Sequence, residues 1–226
     1  MLQTRSALAA LVVCAAVFCL PGRAQSHAEG AKNIQLVLDH GWQFRKVVAA
    51  QDANAGWLPA TVPGDVHLDL LANKVIADPF SRDSEAKLQW IENESWEYRT
   101  SFDVPRALLG RGHLDLVFDG LDTPAQVYLN GTLVLTSDDS FRSWRVDAKR
   151  QLHAGSNQLR VLFVSPVESA KKVAAQDPWQ AKTKVDAKTY LRKPAYEYGW
   201  DWGPRFVTSG IWKPVRLESW DAARIA

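Results

Sequence analysis

Cysteine occurs only twice, at Cys14 and Cys19, and both positions fall in an amino-terminal stretch that reads as an export leader. Arg5 gives it a positive start, and Ala7 to Leu20 is an unbroken series of Ala, Leu, Val, Phe and Cys. Pro21 ends any helix, and Gly22 and Ala24 place small residues three and one before a cut ahead of Gln25. The run is shorter than the roughly 20 residues that cross a hydrocarbon core, which disfavours a permanent membrane anchor. With the leader removed there is no thiol, so disulfides, cysteine zinc ligands and a cysteine nucleophile are all excluded. Stability then has to come from a buried core, for which about 200 remaining residues are ample.

A charge excess is lacking as well. The chain has 27 Lys and Arg against 25 Asp and Glu, and Arg5 and Arg23 leave with the leader, so the mature part is neutral overall. A nucleic-acid or anionic-membrane partner calls for a basic surplus, and neither is expected here. No internal repeat, low-complexity tract, Gly-x-Ser-x-Gly elbow or phosphate loop is present. His40, His67, His113 and His153 lie in separate blocks without metal-ligand spacing, and no metal or other cofactor is expected. Asp138-Asp139-Ser140 is read as a polar turn in preference to a calcium site.

What the chain does have is tryptophan, with all ten after residue 40, set among short alternating runs. Glu97 to Val104 alternates Tyr98, Thr100 and Phe102 with Glu97, Arg99 and Asp103, and His113 to Phe118 puts Leu114, Leu116 and Phe118 on one side. Gln126 to Leu129 and Thr132 to Leu135 flank Asn130-Gly131, which suits the positive φ angles of a type I′ hairpin turn. Leu159 to Val164, preceded by a turn at His153 to Asn157, and Val215 to Trp220 complete the strands, the former apolar enough to sit centrally. The pattern predicts an all-β fold: an antiparallel β-sandwich with one short helix at Asp65 to Asn73, where Val66, Leu70 and Leu71 share a face. Val167 to Arg192 is Lys-, Ala-, Gln- and Asp-rich and is expected to leave the sheet as a long excursion, partly helical or mobile. The expected organisation is a leader at 1–24, a flexible start at 25–32, one domain at 33–220 and the stump of a linker at 221–226.

The densest chemistry lies at Tyr196-Glu197-Tyr198-Gly199-Trp200-Asp201-Trp202-Gly203-Pro204-Arg205. Four aromatics, two carboxylates and an arginine cannot all be buried unpaired, and the glycines and proline forbid a plain strand or helix. Rings beside a carboxylate suit a sugar, whose apolar face stacks and whose hydroxyls donate hydrogen bonds. The alternative at this point is an aromatic plug with Asp201 paired to Arg205.

Trp200-Asp201-Trp202, with Thr208 to Val215 after it, resembles the signature that closes the first domain of glycoside hydrolase family 2 β-mannosidases. Three further blocks match in order: Val62 to His67 with Asp78-Pro79-Phe80, Trp90 to Tyr98, and Phe118 to Thr123 with Val127 to Gly131. Some of these pieces also resemble family 2 β-galactosidases and β-glucuronidases, whose amino-terminal domain is one alternative, and a stand-alone carbohydrate-binding module is another.

The resemblance implies a galactose-binding-like jelly roll, followed in the full enzyme by immunoglobulin-like domains and a (β/α)8 barrel. It implies hydrolysis of terminal β-D-mannose by a retaining mechanism whose two glutamates belong to the barrel, so no catalytic residue is assigned in this chain. Asp201 is the implied substrate-binding residue, with Trp200 and Trp202 shaping the pocket. The expected partners are a mannose-containing oligosaccharide or glycan and the downstream domains, in the periplasm or outside the cell. Asn93-Glu94 matches the first-domain segment and not a barrel acid/base pair, and Glu92, Glu94 and Glu97 are expected as solvated or Arg-paired carboxylates at a strand edge. On this reading, residues 25–226 alone show no hydrolysis of an aryl β-mannoside, and turnover above buffer in a preparation free of host glycosidase would contradict it.

Overall fold

The computed structural model describes residues 33–47, 56–179, 182 and 186–224. The expected leader at 1–24 and the flexible start at 25–32 lie outside these residues, as do Ile225 and Ala226. Two antiparallel sheets carry the fold. One has four strands in the order β1 (Ile34–Val37), β12 (Val215–Trp220), β5 (His113–Phe118), β8 (Trp144–Asp147). The other has six, in the order β3 (Leu58–Pro59), β2 (Gln43–Lys46), β4 (Trp96–Val104), β9 (Gly155–Phe163), β6 (Ala125–Leu129), β7 (Thr132–Ser137). This is the expected sandwich. Leu114, Leu116, Phe118 and Leu217 from the first sheet and Phe44, Tyr98, Val127, Leu159, Val161 and Phe163 from the second lie in one buried cluster. Alternation places them there, since in a strand every second side chain faces the same way.

β5 and β12 run between the residues that the pattern marks, paired from Val215 opposite Phe118 to Trp220 opposite His113. Asn130 and Gly131 have φ of 50° and 83°, the two left-handed residues that a type I′ turn needs between β6 and β7. β9 is central, as its two apolar faces suggest, lying between β4 and β6. It begins at Gly155, however, four residues before the expected start and inside the expected turn. Asn157 explains the difference. Its side chain bonds the His153 N–H and carbonyl, the Gly155 carbonyl and Asn130, so a turn-type residue is fully satisfied inside a strand paired with Phe102.

The described residues contain the expected short helix, α1 (Val66–Ala72), and a helix in the expected excursion, α4 (Pro166–Ala174); α2 (Ser84–Leu88) and α3 (Arg106–Leu109) are two further helices that the expectation lacked. α1 is the one that the periodicity finds, capped by Asp65, whose Oδ1 accepts from the N–H groups of His67 and Leu68. It buries Val66 and Leu70 but leaves Leu71 36% exposed, and fills its inner face with His67 and Asp69 instead. α4 opens the excursion, with Ser165 as its cap and Pro166 at its start. It buries only Pro166, Ala170 and Ala174, too small an apolar stripe to mark its bounds in the sequence. α2 and α3 are single turns with one buried leucine each.

The segment before α1 is laid against the one before β12. Gly64 N–H donates to the Ile211 carbonyl and Val66 N–H to the Ser209 carbonyl, each at 2.9 Å. Gly210 meanwhile exchanges both backbone bonds with Asp122. The contact is tight: a Cβ on Gly210 would lie 2.5 Å from the Gly64 carbonyl oxygen and 2.6 Å from Asp65 Cα. Backbone cannot yield as a flexible side chain can, so Gly210→Ala is expected to lose about 1–3 kcal/mol of stability, the usual penalty of overpacking. Urea unfolding checks this, and an unchanged midpoint would refute the close approach.

Candidate functional site

Two short strands, β10 (Tyr198–Trp200) and β11 (Gly203–Arg205), form a hairpin with Tyr198 opposite Arg205 and Trp200 opposite Gly203. Asp201 and Trp202 are left as its two-residue tip. Trp200 and Trp202 are 57% and 82% exposed and stack on each other, with ring centroids 5.2 Å apart and planes at 19°. Asp201 is exposed, and among the described residues it has no hydrogen bond or ion pair. The three expected site residues are consecutive in the chain, and the hairpin leaves all three exposed at its tip.

The tip faces a groove of about 440 Å³ whose other wall is Pro79, Phe80, Arg82 and Glu85. Asp78 shapes that wall by accepting the Phe80 N–H at 3.0 Å. Phe80 is 78% exposed and meets Phe206 edge-on, and Phe206 leans on His67 of α1. Exposed rings and one free carboxylate in a groove can receive a polyhydroxylated ligand, stacking its apolar face and accepting from its hydroxyls.

The plug alternative required an Asp201–Arg205 pair, and that pair is absent. Arg205 turns the other way and grips Glu92, at 2.7 Å for the shorter of two bonds. Glu97 is held by Arg45 and Arg160, and Glu94 by Lys46, so these carboxylates are paired as expected. Glu97 stands on a central strand, though, and not at a sheet edge. Asn93 bonds the Gln89 carbonyl. Asp139 accepts the Phe141 N–H, and Ser140 N–H donates to the Arg192 carbonyl, so the Asp138-Asp139-Ser140 segment is a turn that pins the excursion. His40 sits beside Asp39 and His113 stacks on Trp220, both far in the chain from His67 and from His153 in the β8–β9 turn.

Beneath the hairpin lies a buried charged cluster with no signal in the sequence. The Lys193 side chain is fully buried, and its ammonium donates to Asp122 Oδ2 at 2.6 Å, Glu197 Oε2 at 2.7 Å and the Thr208 carbonyl at 2.8 Å. One ammonium against two carboxylates leaves one negative charge in excess, and burial pushes the Glu197 carboxyl up to about 7, against the pull of Lys193. Nearby, the Thr208 hydroxyl donates to Asp65 Oδ1 at 3.1 Å, so its contact with His67 Nδ1 at 2.9 Å requires that nitrogen to carry the proton. Burial, opposed by Asp65, lowers the His67 imidazole to about 4 and keeps it neutral.

The chain is similar to known proteins over most of its length. The family model described as Glycosyl hydrolase 2 galactose-binding domain-like matches residues 42–213. Beta-mannosidase B of Aspergillus terreus is 40% identical over 202 residues, covering 87% of this chain and 23% of that protein. The crystal structure of Beta-D-mannosidase from Dictyoglomus thermophilum is similar with a TM-score of 0.79 and 39% identity, over 85% of this chain and 23% of that one. A Bifidobacterium dentium β-glucuronidase, solved with coumarin-3-O-glucuronide, is 23% identical with a TM-score of 0.51 over 84% of this chain and 30% of its own, a likeness of fold alone. The chain thus spans 23% of the length of the mannosidases that it matches.

The charged cluster sets a pH dependence. Folded Glu197 keeps its proton up to about 7, whereas the unfolded chain releases it near the ordinary value of 4.5. Its contribution to stability is complete below that lower value and is lost as pH rises through about 7. Glu197→Gln removes this loss, so the stability of the variant relative to the parent is expected to climb across the window from 4.5 to about 7. Denaturant unfolding at several pH values measures the difference, and a constant difference would contradict the excess-charge account.

Proposed function

The chain belongs to the glycosyl hydrolase 2 galactose-binding domain-like family, and on that premise we propose that it is the sugar-facing amino-terminal domain of an exported β-mannosidase. The substrate on this reading is a glycan with a terminal, non-reducing β-D-mannosyl residue. The observation that carries the proposal is the hairpin tip, where Asp201 has no partner among the described residues and is flanked in sequence by two exposed, mutually stacked indoles, in a chain 40% identical to Beta-mannosidase B.

Cleavage with retention needs two carboxyl groups that flank the glycosidic bond, one attacking and one handling the proton. These belong to a barrel domain of the enzyme, and this domain completes the sugar pocket from the side. Asp201 accepts hydrogen bonds from hydroxyls of the terminal mannose, which are charge-assisted and so stronger than neutral ones. Trp200 and Trp202 cover the apolar face of the ring and keep water from it. Contacts that tighten as the sugar flattens toward the transition state raise the rate and not merely the affinity. The exposed apolar side chains around the hairpin, Leu68, Phe80, Tyr196 and Trp202, suit burial against the rest of the enzyme.

In the full-length enzyme Asp201→Asn keeps the size of the side chain and weakens the acceptor. Because hydrogen bonds to a charged group contribute about 1.5–3 kcal/mol, kcat/KM for an aryl β-mannoside is expected to fall by about tenfold to a hundredfold. The melting temperature is expected to stay put, since Asp201 bonds nothing in the fold. A destabilised variant with unchanged kinetics would remove Asp201 from the site.

A further inference from the structure

We infer that Arg205 is a positioning residue for Asp201, an inference that rests on the reading of Asp201 as the sugar-binding carboxylate. With no bond of its own among the described residues, Asp201 is aimed by the strands beneath it. These are three residues each, and so short a hairpin is not stable by itself. Its rigidity has to be imported, and Arg205 is where it enters.

The guanidinium holds Glu92 through a two-pronged contact, Nε to Oε2 at 3.0 Å and Nη2 to Oε1 at 2.7 Å, while Nη1 donates to the Tyr198 carbonyl across the hairpin at 3.3 Å. The backbone of the same residue is pinned as well. Its N–H donates to Glu85 Oε1 at 2.8 Å, and its carbonyl accepts from Gln89 Nε2 at 2.9 Å. Gly199, with φ of 84°, lets the facing strand close so near that a Cβ there would lie 3.2 Å from Arg205 Cβ. Glu92 is in turn a firm anchor, its side chain 11% exposed in a turn (Ile91–Asn93) that runs directly into β4. A planar fork on a carboxylate fixes direction as well as distance, which a lysine ammonium cannot do. The groove wall joins the same clamp, because Glu85 both lines the groove and accepts the Arg205 N–H.

The test is a double-mutant cycle in the full-length enzyme, read as kcat/KM for an aryl β-mannoside with the melting temperature of each variant alongside. A shift of about 1 Å in a positioned group costs up to about a hundredfold, so Arg205→Lys is expected to lower kcat/KM by about tenfold or more. Glu92→Gln keeps the shape of the anchor and should do the same in milder form, and it decides the matter if Arg205→Lys does not fold. In an Asp201→Asn background either substitution is expected to change kcat/KM by less than about twofold, because the group being aimed is already blunted. Equal losses in both backgrounds would overturn the positioning role while leaving Asp201 as the sugar ligand. A silent Asp201→Asn would remove both.

Discussion

The ammonium of Lys193 holds the hairpin end of this domain together. It has no exposure to water, and its three donors are satisfied by Asp122, Glu197 and the Thr208 carbonyl. Asp122 lies between β5 and β6, Glu197 just before β10 and Thr208 just after β11. One buried charge therefore ties the sandwich to both ends of the segment that carries the hairpin. Opening that segment would strand a charge from its partners in a place that water does not reach, which is costly enough to keep the loop down.

Around that point the division of labour is physical. Groups that support are buried and paired: Lys193 with its carboxylates, Arg205 with Glu92, and the Thr208 hydroxyl between His67 and Asp65. The groups proposed to meet a ligand are exposed, namely Asp201 and the two indoles beside it, and among the described residues Asp201 has no partner. The close contact of Gly210 with Gly64 lets two loops share a space that side chains would otherwise fill, and it brings α1 and the Asp78–Phe80 wall against the root of the hairpin. An exposed carboxylate without a protein donor keeps its acceptor oxygens accessible, so the hydroxyls of a sugar can take the place of water there.

Local patterning made much of the sandwich legible. Alternation marked β5 and β12 end to end, and Asn130-Gly131 marked its hairpin, because both signals are carried by neighbouring residues. Composition marked the excursion that α4 opens but not the bounds of that helix, which buries proline and alanine instead of large apolar side chains, and α2 and α3 escaped because they are too short to show a period. The start of β9 was obscured because Asn157 behaves as a turn residue in sequence and as a bonded strand residue in space.

The sequence by itself determined that this protein is a β-sandwich with no cysteine after residue 19, and it singled out Trp200-Asp201-Trp202 as the candidate sugar contact. Only the tertiary structure decided how that contact is held. Arg205 and Glu92 are 113 residues apart, and Lys193 and Asp122 are 71 apart. No spacing rule spans such distances, since a charged side chain chooses its partner by what folding brings within about 3 Å and not by its neighbours in the chain.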